Sequence, residues 1–322
     1  MIYSLAITGP TASGKTAVSI ELAKRLSAEI ISCDSMQIYK DMDIGTAKAT
    51  ENERTQIPHH MIDIISADED FSVETYRKLA ISSAEKIAAR GKIPMFVGGT
   101  GLYVDALMRA PMKSVPESSR EYRDAVLAGI KNENDIDALW QKLLKVDPES
   151  AEAIHKNNVR RVIRALEIYE TTGKTKSYFD AQSRQAASDI SVFMLTLDFH
   201  NRDNLYTRVD LRVDEMFERG LVEEVDSLYK RGLLLPGTTA SQAIGYKEIV
   251  TYLEGKLSLA ESKELIKLST RRYAKRQLTW FRHEDGAYRL YIDSEDGTMR
   301  SFDEIINEAM TAAQDFIKGI NK

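Results

Sequence analysis

Residues 2–35 read IYSLAITGPTASGKTAVSIELAKRLSAEIISCDS, and the order of apolar, glycine-rich and periodic segments within them sets the fold. Ile2 to Thr8 is a short run of apolar and β-favouring residues that meets a turn at Gly9, the pattern of a buried strand. Ala17 to Leu26 then carries Val18, Ile20, Leu22, Ala23 and Leu26 at helical spacing, and Glu29 to Ser32 forms a second strand before Asp34. Strand, helix and strand within about 30 residues make a βαβ unit, which implies a parallel sheet with right-handed crossovers. Working outward, Val73 to Ala89 fits a helix, and Lys92 to Val97 fits a strand that runs into Gly98-Gly99. Roughly the first 110 residues therefore read as a doubly wound α/β core.

From Lys113 to about Asp189 the strand signals vanish and helical periods take over: Arg120 to Ile130, Ile136 to Leu144, Glu149 to His155 and Val159 to Thr171, with Asp147-Pro148 marking a helix start. Strand character returns at Ser191 to Phe199 and at Tyr288 to Ile292, and helices are expected over Asn204 to Arg231 and Leu259 to Arg282. A late return to strand makes the helical stretch an insertion. The expected organisation is an α/β core from residues 1–112 and 190–322, with a helical domain from 113–189 joined through Ala110 to Pro116. No internal repeat or low-complexity segment interrupts it.

Composition narrows the function classes. The chain has 322 residues, 43% hydrophobic and 29% charged, which excludes disordered and collagen-like proteins. The one cysteine, Cys33, cannot form an intramolecular disulfide, and no apolar run approaches the roughly 20 residues of a membrane span. The expected setting is the cytosol, and the expected state is a monomer. Net charge is −5, which alone argues against a polyanionic partner. That average conceals two basic stretches, +4 over Ala153 to Arg184 and +5 over Lys263 to Arg289, which are either solvated helix faces or local polyanion sites.

Gly9-Pro10-Thr11-Ala12-Ser13-Gly14-Lys15-Thr16 matches the P-loop pattern between a strand and a helix. Glycines let backbone N–H groups curl around phosphate oxygens, and the helix start adds partial positive charge. In such a loop Lys15 neutralises phosphate and Thr16 ligates Mg²⁺. The motif establishes a phosphate binder without saying which phosphate. A nucleotide hydrolase or kinase would carry an acid at a hydrophobic strand end, whereas the strand ending at Val97 runs into Gly98-Gly99-Thr100-Gly101. The nearby strand-terminal acid is Asp34, and strand ends at the carboxyl edge of a parallel sheet share one crevice. Asp34 and Thr100 are therefore expected to face the phosphate site, with Asp34 a general base, a Mg²⁺ ligand or a helix cap.

Three further features complete the set. Arg208 and Arg212, four apart, share a helix face suited to an oxygen-rich dianion or to pairing with Asp210 or Glu215. His59-His60 fits structural or substrate-positioning work better than zinc, because adjacent side chains diverge and no cysteine is near. Arg271 to Arg282, RRYAKRQLTWFR, interleaves basic and aromatic residues as RNA backbone and unstacked bases require.

In order along nearly the whole chain, these segments resemble the tRNA dimethylallyltransferases, or tRNA isopentenyltransferases, in their bacterial form without a zinc finger. The matching stretches are GPTASGKT (9–16), DSMQIY (34–39), DIGTAK (43–48), PHHMID (58–63), GGTGLY (98–103), NNVRRVIRALE (157–167), QAIGYKE (242–248) and RRYAKRQLTWFR (271–282). Met36 in the Asp-Ser-x-Gln segment and Ala49, where a proline often follows the lysine, are local departures. The resemblance implies transfer of a dimethylallyl group from dimethylallyl diphosphate to N6 of the adenosine next to the anticodon. It implies that Gly9 to Thr16, Arg208 and Arg212 hold the diphosphate with Mg²⁺ on Thr16, and that Asp34 is the general base. Thr100 would bond the amine or a diphosphate oxygen, and Ser35, Met36 and Gln37 would hold the base. Arg123, Asn158, Arg160, Arg161, Gln242, Ala243, Gly245, Tyr246, Lys247, Arg276 and Arg282 would contact the tRNA anticodon stem-loop, with the helical insertion closing on it. A small-molecule or nucleotide kinase and a non-catalytic RNA-binding module are the alternatives.

Overall fold

The structure, a computed structural model, describes residues 1–109, 119–185 and 190–320. In chain order the first elements are β1 (Ile2–Thr8), α1 (Lys15–Leu26), β2 (Ala28–Ser32), α2 (Glu51–Gln56), β3 (His59–His60), α3 (Val73–Ala89), β4 (Ile93–Gly98) and α4 (Gly101–Met108). A helical run follows: α5 (Arg120–Gly129), α6 (Glu133–Val146), α7 (Pro148–Ala153), α8 (Val159–Thr172) and α9 (Lys176–Gln185). The last part holds β5 (Ile190–Asp198), α10 (Arg202–Glu218), α11 (Leu221–Lys230), α12 (Tyr246–Leu253), α13 (Leu259–Arg282), β6 (Tyr288–Tyr291) and α14 (Phe302–Ile320). The chain divides into two units, Met1–Met108 with Asp189–Lys322, and Arg109–Ser188. The expected linker Ala110 to Pro116 and the boundaries at 113 and 189 lie outside the described residues.

The first unit is built on one six-stranded parallel sheet of order β3-β2-β4-β1-β5-β6. Alternation along β1 separates its two faces. Leu5 and Ile7 pack with Val18 and Leu22 of α1, Val209 of α10 and Ile306 of α14. Ala6 joins Ile31 and Phe96 against Tyr76 and Ala80 of α3 and Val104 of α4. With both faces covered, the strands read as near-continuous apolar runs, which is why they were legible as buried strands. A third apolar cluster ties Ile38, Tyr39 and Met42 to α10, α11 and α12 through Val213, Leu221, Val225 and Tyr246. Among the described residues no helix is long and apolar enough to cross a membrane.

One expected element is corrected. The helix expected over Asn204 to Arg231 is two helices, broken between Glu218 and Leu221 where Gly220 takes φ 95°. A left-handed residue ends a helix and glycine adopts that conformation without steric cost. The break turns α11 so that Glu224 reaches the Asp43–Gly45 segment. The short elements α2, β3, α4 and α12 and the terminal α14 were not anticipated.

The second unit packs α6, α7 and α8 around Leu143, Ile154, Val162 and Leu166. Its helix starts follow local chemistry: Asp147 caps α7 through Ser150 N at 3.2 Å and also accepts Ser177 N at 3.1 Å. Burial pushes the Asp147 carboxyl up, and the hydrogen bonds from Ser150 and Ser177 more than reverse this, leaving its pKa lowered.

Gly98 shows how closely the sheet edge is packed, since a Cβ there would lie 2.2 Å from the backbone oxygen of Cys33. Gly98→Ala is expected to cost about 3 kcal/mol or more. In thermal unfolding that is a drop of about 6–12 °C. Gly129→Ala, with nothing within 4 Å of the added atom, serves as the control and should leave the midpoint nearly unchanged. Equal midpoints for both variants would contradict the β2–β4 packing.

Candidate active site

The chain leaves β1 at Thr8 and turns through Gly9 at φ 136°, Ala12 at φ 63° and Gly14 at φ 95° before α1 begins. Gly9 has no alternative, because a Cβ would meet the Leu197 carbonyl oxygen at 2.7 Å. No side chain caps α1 at Gly14, so its first amide groups remain available to an anion. Lys15 folds back to donate to the carbonyls of Gly9 (3.1 Å) and Pro10 (2.7 Å). β2 and β4 end beside this loop, and the segments that follow them carry Asp34 and Thr100.

These parts line a cleft of about 600 Å³ that includes Thr11, Ala12, Gly14, Lys15, Thr16, Asp34, Ser35, Met36, Gln37 and Arg212. Burial pulls the Lys15 pKa down to about 7; the nearby Arg212 charge adds to this and Asp34 opposes it. Burial also lowers the pKa of Arg212, with Asp34 again opposing, and Arg212 Nε is buried without a partner. A pair of desolvated cations with an unused donor is an anion site. The alternative pairing of Arg208 and Arg212 with acids of their own helix is not seen; Asp210 pairs with Arg271 at 2.6 Å instead. Arg208 lies outside the cleft wall and braces the loop by donating from Nε to the Ala12 carbonyl at 2.8 Å. Gly9, Pro10 and Ser13 also lie behind the wall.

Asp34 accepts Met36 N at 2.9 Å, and Thr100 Oγ1 accepts Ser35 N at 3.1 Å. Thr100 is thus one residue removed from Asp34 and off the cleft wall itself. Gln37 is fixed by Ser32 Oγ at 2.9 Å and by its own donation to Thr46 O at 3.3 Å. Apolar wall comes from Ile30, Val97, Val213, Met216, Ile244 and Ile266. The carboxylates on the wall, among the described residues, are Asp34 and Glu53, and Glu53 is occupied in capping α2 through Thr50.

Several motif residues turn out to hold the site together. Glu224 accepts the amides of Asp43 (2.9 Å), Ile44 (2.7 Å) and Gly45 (3.1 Å) and the Tyr246 hydroxyl (2.6 Å). Lys48, almost fully buried, donates to Tyr39 O, Asp43 and Asp63. His60 pairs with Glu29 at 2.8 Å and His59 Nδ1 meets Ile57 O at 2.7 Å, so the histidine pair does structural work and His59 also lines the cleft. Glu29 gathers Lys92, His60 and Arg90; burial pushes its carboxyl up, yet the hydrogen bonds from Lys92 and His60 and the charges of Arg90 and Lys92 hold it down at about 2.

The tRNA candidates divide. Arg276, Lys247 and Gln242 are exposed on the cleft rim, and Arg276 also lines a second groove on α13 with Arg272, Lys275, Thr279 and Trp280. Asn158, Arg160 and Arg161 are exposed at the start of α8, and Arg123 is half-buried on α5. Ala243, Gly245 and Tyr246 are buried, and the Tyr246 ring packs on Gly45. Arg282 is not a free cation, because it forks onto Asp198 at 2.9 and 2.7 Å. Sequence reasoning missed Gln277, Tyr273, Glu224 and Lys48 as site-building residues. The helical period of α13, which turns Ala274, Gln277, Leu278 and Phe281 inward, was the available signal for the first.

The sequence profile of the family described as IPP transferase matches residues 37–284. The chain belongs to the IPP transferase family. A tRNA dimethylallyltransferase of Thermoanaerobacter sp. (strain X514) is 47% identical over 293 residues, 91% of this chain and 92% of that one. One from Bacillus anthracis is 48% identical over 279 residues, 86% of this chain and 87% of that one. Among solved structures, a tRNA isopentenylpyrophosphate transferase from Bacillus halodurans matches with TM-score 0.70 and 43% identity over 99% of this chain and 96% of that chain. A eukaryotic dimethylallyltransferase acting on tRNA matches with TM-score 0.81 and 32% identity over 99% of this chain and 80% of that chain. The parallel sheet and glycine loop are those of a P-loop-like member of this family.

A Lys15 pKa near 7 makes anion binding proton-linked. A bound diphosphate monoester restores the higher pKa, so binding at pH 8 should take up about 0.9 proton, and affinity should fall as pH rises above 7. Calorimetry in two buffers of different ionisation enthalpy measures this. Lys15→Met should remove the uptake; uptake that persists in that variant would assign the proton elsewhere.

Proposed function

We propose that this chain transfers a dimethylallyl group from dimethylallyl diphosphate to N6 of the adenosine on the 3′ side of the tRNA anticodon, releasing diphosphate. The observation that carries the reading is the meeting, in one cleft, of a P-loop, a second buried cation and a carboxylate without an ion-pair partner among the described residues: Lys15, Arg212 and Asp34. The diphosphate binds against Lys15, Arg212 and the amide groups at the start of α1, where its growing negative charge in the transition state is stabilised by groups already in place. The five-carbon chain lies on apolar wall such as Ile30, Val97 and Ile244. The N6–C1 bond forms as the C1–O bond to diphosphate breaks, and the N6 proton passes to the Asp34 carboxylate. Ser35, Met36 and Gln37 hold the base beside it, and Thr100 supports them through the Ser35 amide.

Among the described residues no cluster of three His, Cys, Asp or Glu side chains forms a self-sufficient metal site. The Thr16 hydroxyl on the cleft wall suits a hard cation held chiefly by the ligand's own oxygens. Mg²⁺ bound there would add Lewis-acid stabilisation of the leaving diphosphate. The exposed Arg272, Lys275 and Arg276 of α13, with Trp280 in the same groove, are the surface for the RNA backbone. Asn158, Arg160 and Arg161 serve the same end at the start of α8, where the helix dipole also favours phosphate. Every assigned group comes from one chain, which fits a monomer, and a single buried free thiol, Cys33, fits a reducing setting such as the cytosol. The kinase alternative gains no support: β4 ends in Gly98 and is followed by Gly99 and Thr100 rather than an acid.

Purified protein with Mg²⁺, unmodified tRNA and labelled dimethylallyl diphosphate should yield N6-dimethylallyl adenosine after nuclease digestion, with no need for ATP. Asp34→Asn should lower kcat by about 10²–10⁴ while dimethylallyl diphosphate still binds. Wild-type turnover in that variant would remove Asp34 as the base, and ATP turnover with a phosphorylated product would replace the whole reading.

A further inference from the structure

Gln277 lies on α13, a long way in sequence from the P-loop and from the Asp34 segment, and only 6% of it is exposed. Both ends of its side-chain amide are committed to the site. Its Oε1 accepts the Thr11 N–H of the P-loop at 2.8 Å, and its Nε2 donates to the Gly99 carbonyl at 2.8 Å. The fit is close enough that a Cβ on Gly99 would lie 2.2 Å from Nε2. Four residues earlier on the helix, Tyr273 lies beside both Gln277 and Thr100, and Thr100 in turn accepts Ser35 N at 3.1 Å. A single side chain thus joins the loop that carries Lys15 to the loop that braces Asp34 and Ser35.

We infer that Gln277 is a positioning residue that locks the P-loop to the Gly99–Thr100 loop, setting the separation between the leaving diphosphate and the accepting amine. This rests on the reaction proposed above. Displacement at an allylic carbon requires nucleophile, carbon and leaving group in line, and a misplacement of about 1 Å can cost about a hundredfold in rate. Glutamine is specified by its chemistry. Glutamate keeps the acceptor for Thr11 but turns an oxygen toward the Gly99 carbonyl, asparagine is one methylene short, and methionine fills the space with neither bond. The Thr11 amide is spent on this contact and is unavailable to phosphate, so Gln277 shapes the loop without touching the ligand through it.

The test compares Gln277→Met, which conserves volume, with Gln277→Glu, which conserves one hydrogen bond. Each is read by thermal unfolding, by the Kd for dimethylallyl diphosphate with Mg²⁺ and no RNA, and by kcat and the KM for tRNA. Both variants should remain folded, lose about tenfold in dimethylallyl diphosphate affinity and about a hundredfold in kcat, and keep the KM for tRNA within about twofold of wild type. A lowered unfolding midpoint with unchanged Kd and kcat would overturn the inference and leave Gln277 as core filling. A raised KM for tRNA with kcat intact would overturn it in favour of an RNA contact. If the wild-type protein itself makes no prenylated nucleoside, the proposed reaction fails, and the lock is then decided by the dimethylallyl diphosphate affinity alone.

Discussion

Two buried cations facing one cleft, with the Asp34 carboxylate beside them, are the constraint around which the rest of the site is arranged. Burial disfavours the charge on Lys15 and the nearby Arg212 adds to this, which is why the Lys15 pKa falls to about 7. The loop tolerates this by lending Lys15 the carbonyls of Gly9 and Pro10, whereas Arg212 Nε goes without. A diphosphate answers both at once. An uncharged ligand would leave the repulsion in place, so the cleft selects its ligand by charge before shape. Asp34 tempers the same repulsion.

Holding such a site open demands a scaffold that does not relax onto it. The sheet supplies the first part, since Thr8, Ser32 and Gly98 end adjacent parallel strands and their loops are obliged to share one edge. Buried polar side chains supply the rest. Glu224 gathers three consecutive amides, Lys48 joins three oxygens, and Gln277 spans two loops. Each spends its hydrogen-bonding groups on backbone or on a charged partner, so removing any one would strand others without a partner in a place water does not easily reach.

The sequence made the α/β core and the anion site legible because both rest on local, periodic signals: β1 and α3 have the expected bounds, and the glycine loop joins β1 to α1 as its spacing requires. What it hid was long-range. Glu224 lies about halfway along the chain from the segment whose amides it collects, and nothing within α11 marks it from Glu223 beside it. The break at Gly220 was missed because the apolar period continues on either side of it, and only the left-handed backbone reveals the turn. The resemblance implies RNA contacts at Arg282 and Tyr246, whereas Arg282 is paired with Asp198 and Tyr246 is packed in the core. A basic or aromatic residue in a promising segment says nothing about its direction until the helix face is known.

α13 makes that last point general. Its segment RRYAKRQLTWFR was read as one basic and aromatic surface, yet the 3.6-residue period sorts it into two. Ala274, Gln277, Leu278 and Phe281 face inward, where Leu278 packs on the α1 side of the sheet and Phe281 on the α3 side. Arg272, Lys275, Arg276 and Thr279 face out along a groove. The inner face fixes loops that carry the reacting groups, and the outer face offers cations to a polyanion. If the outer face receives the tRNA as proposed, one rigid helix ties its placement to the geometry of the chemistry on the inner side, because neither face can shift without the other following.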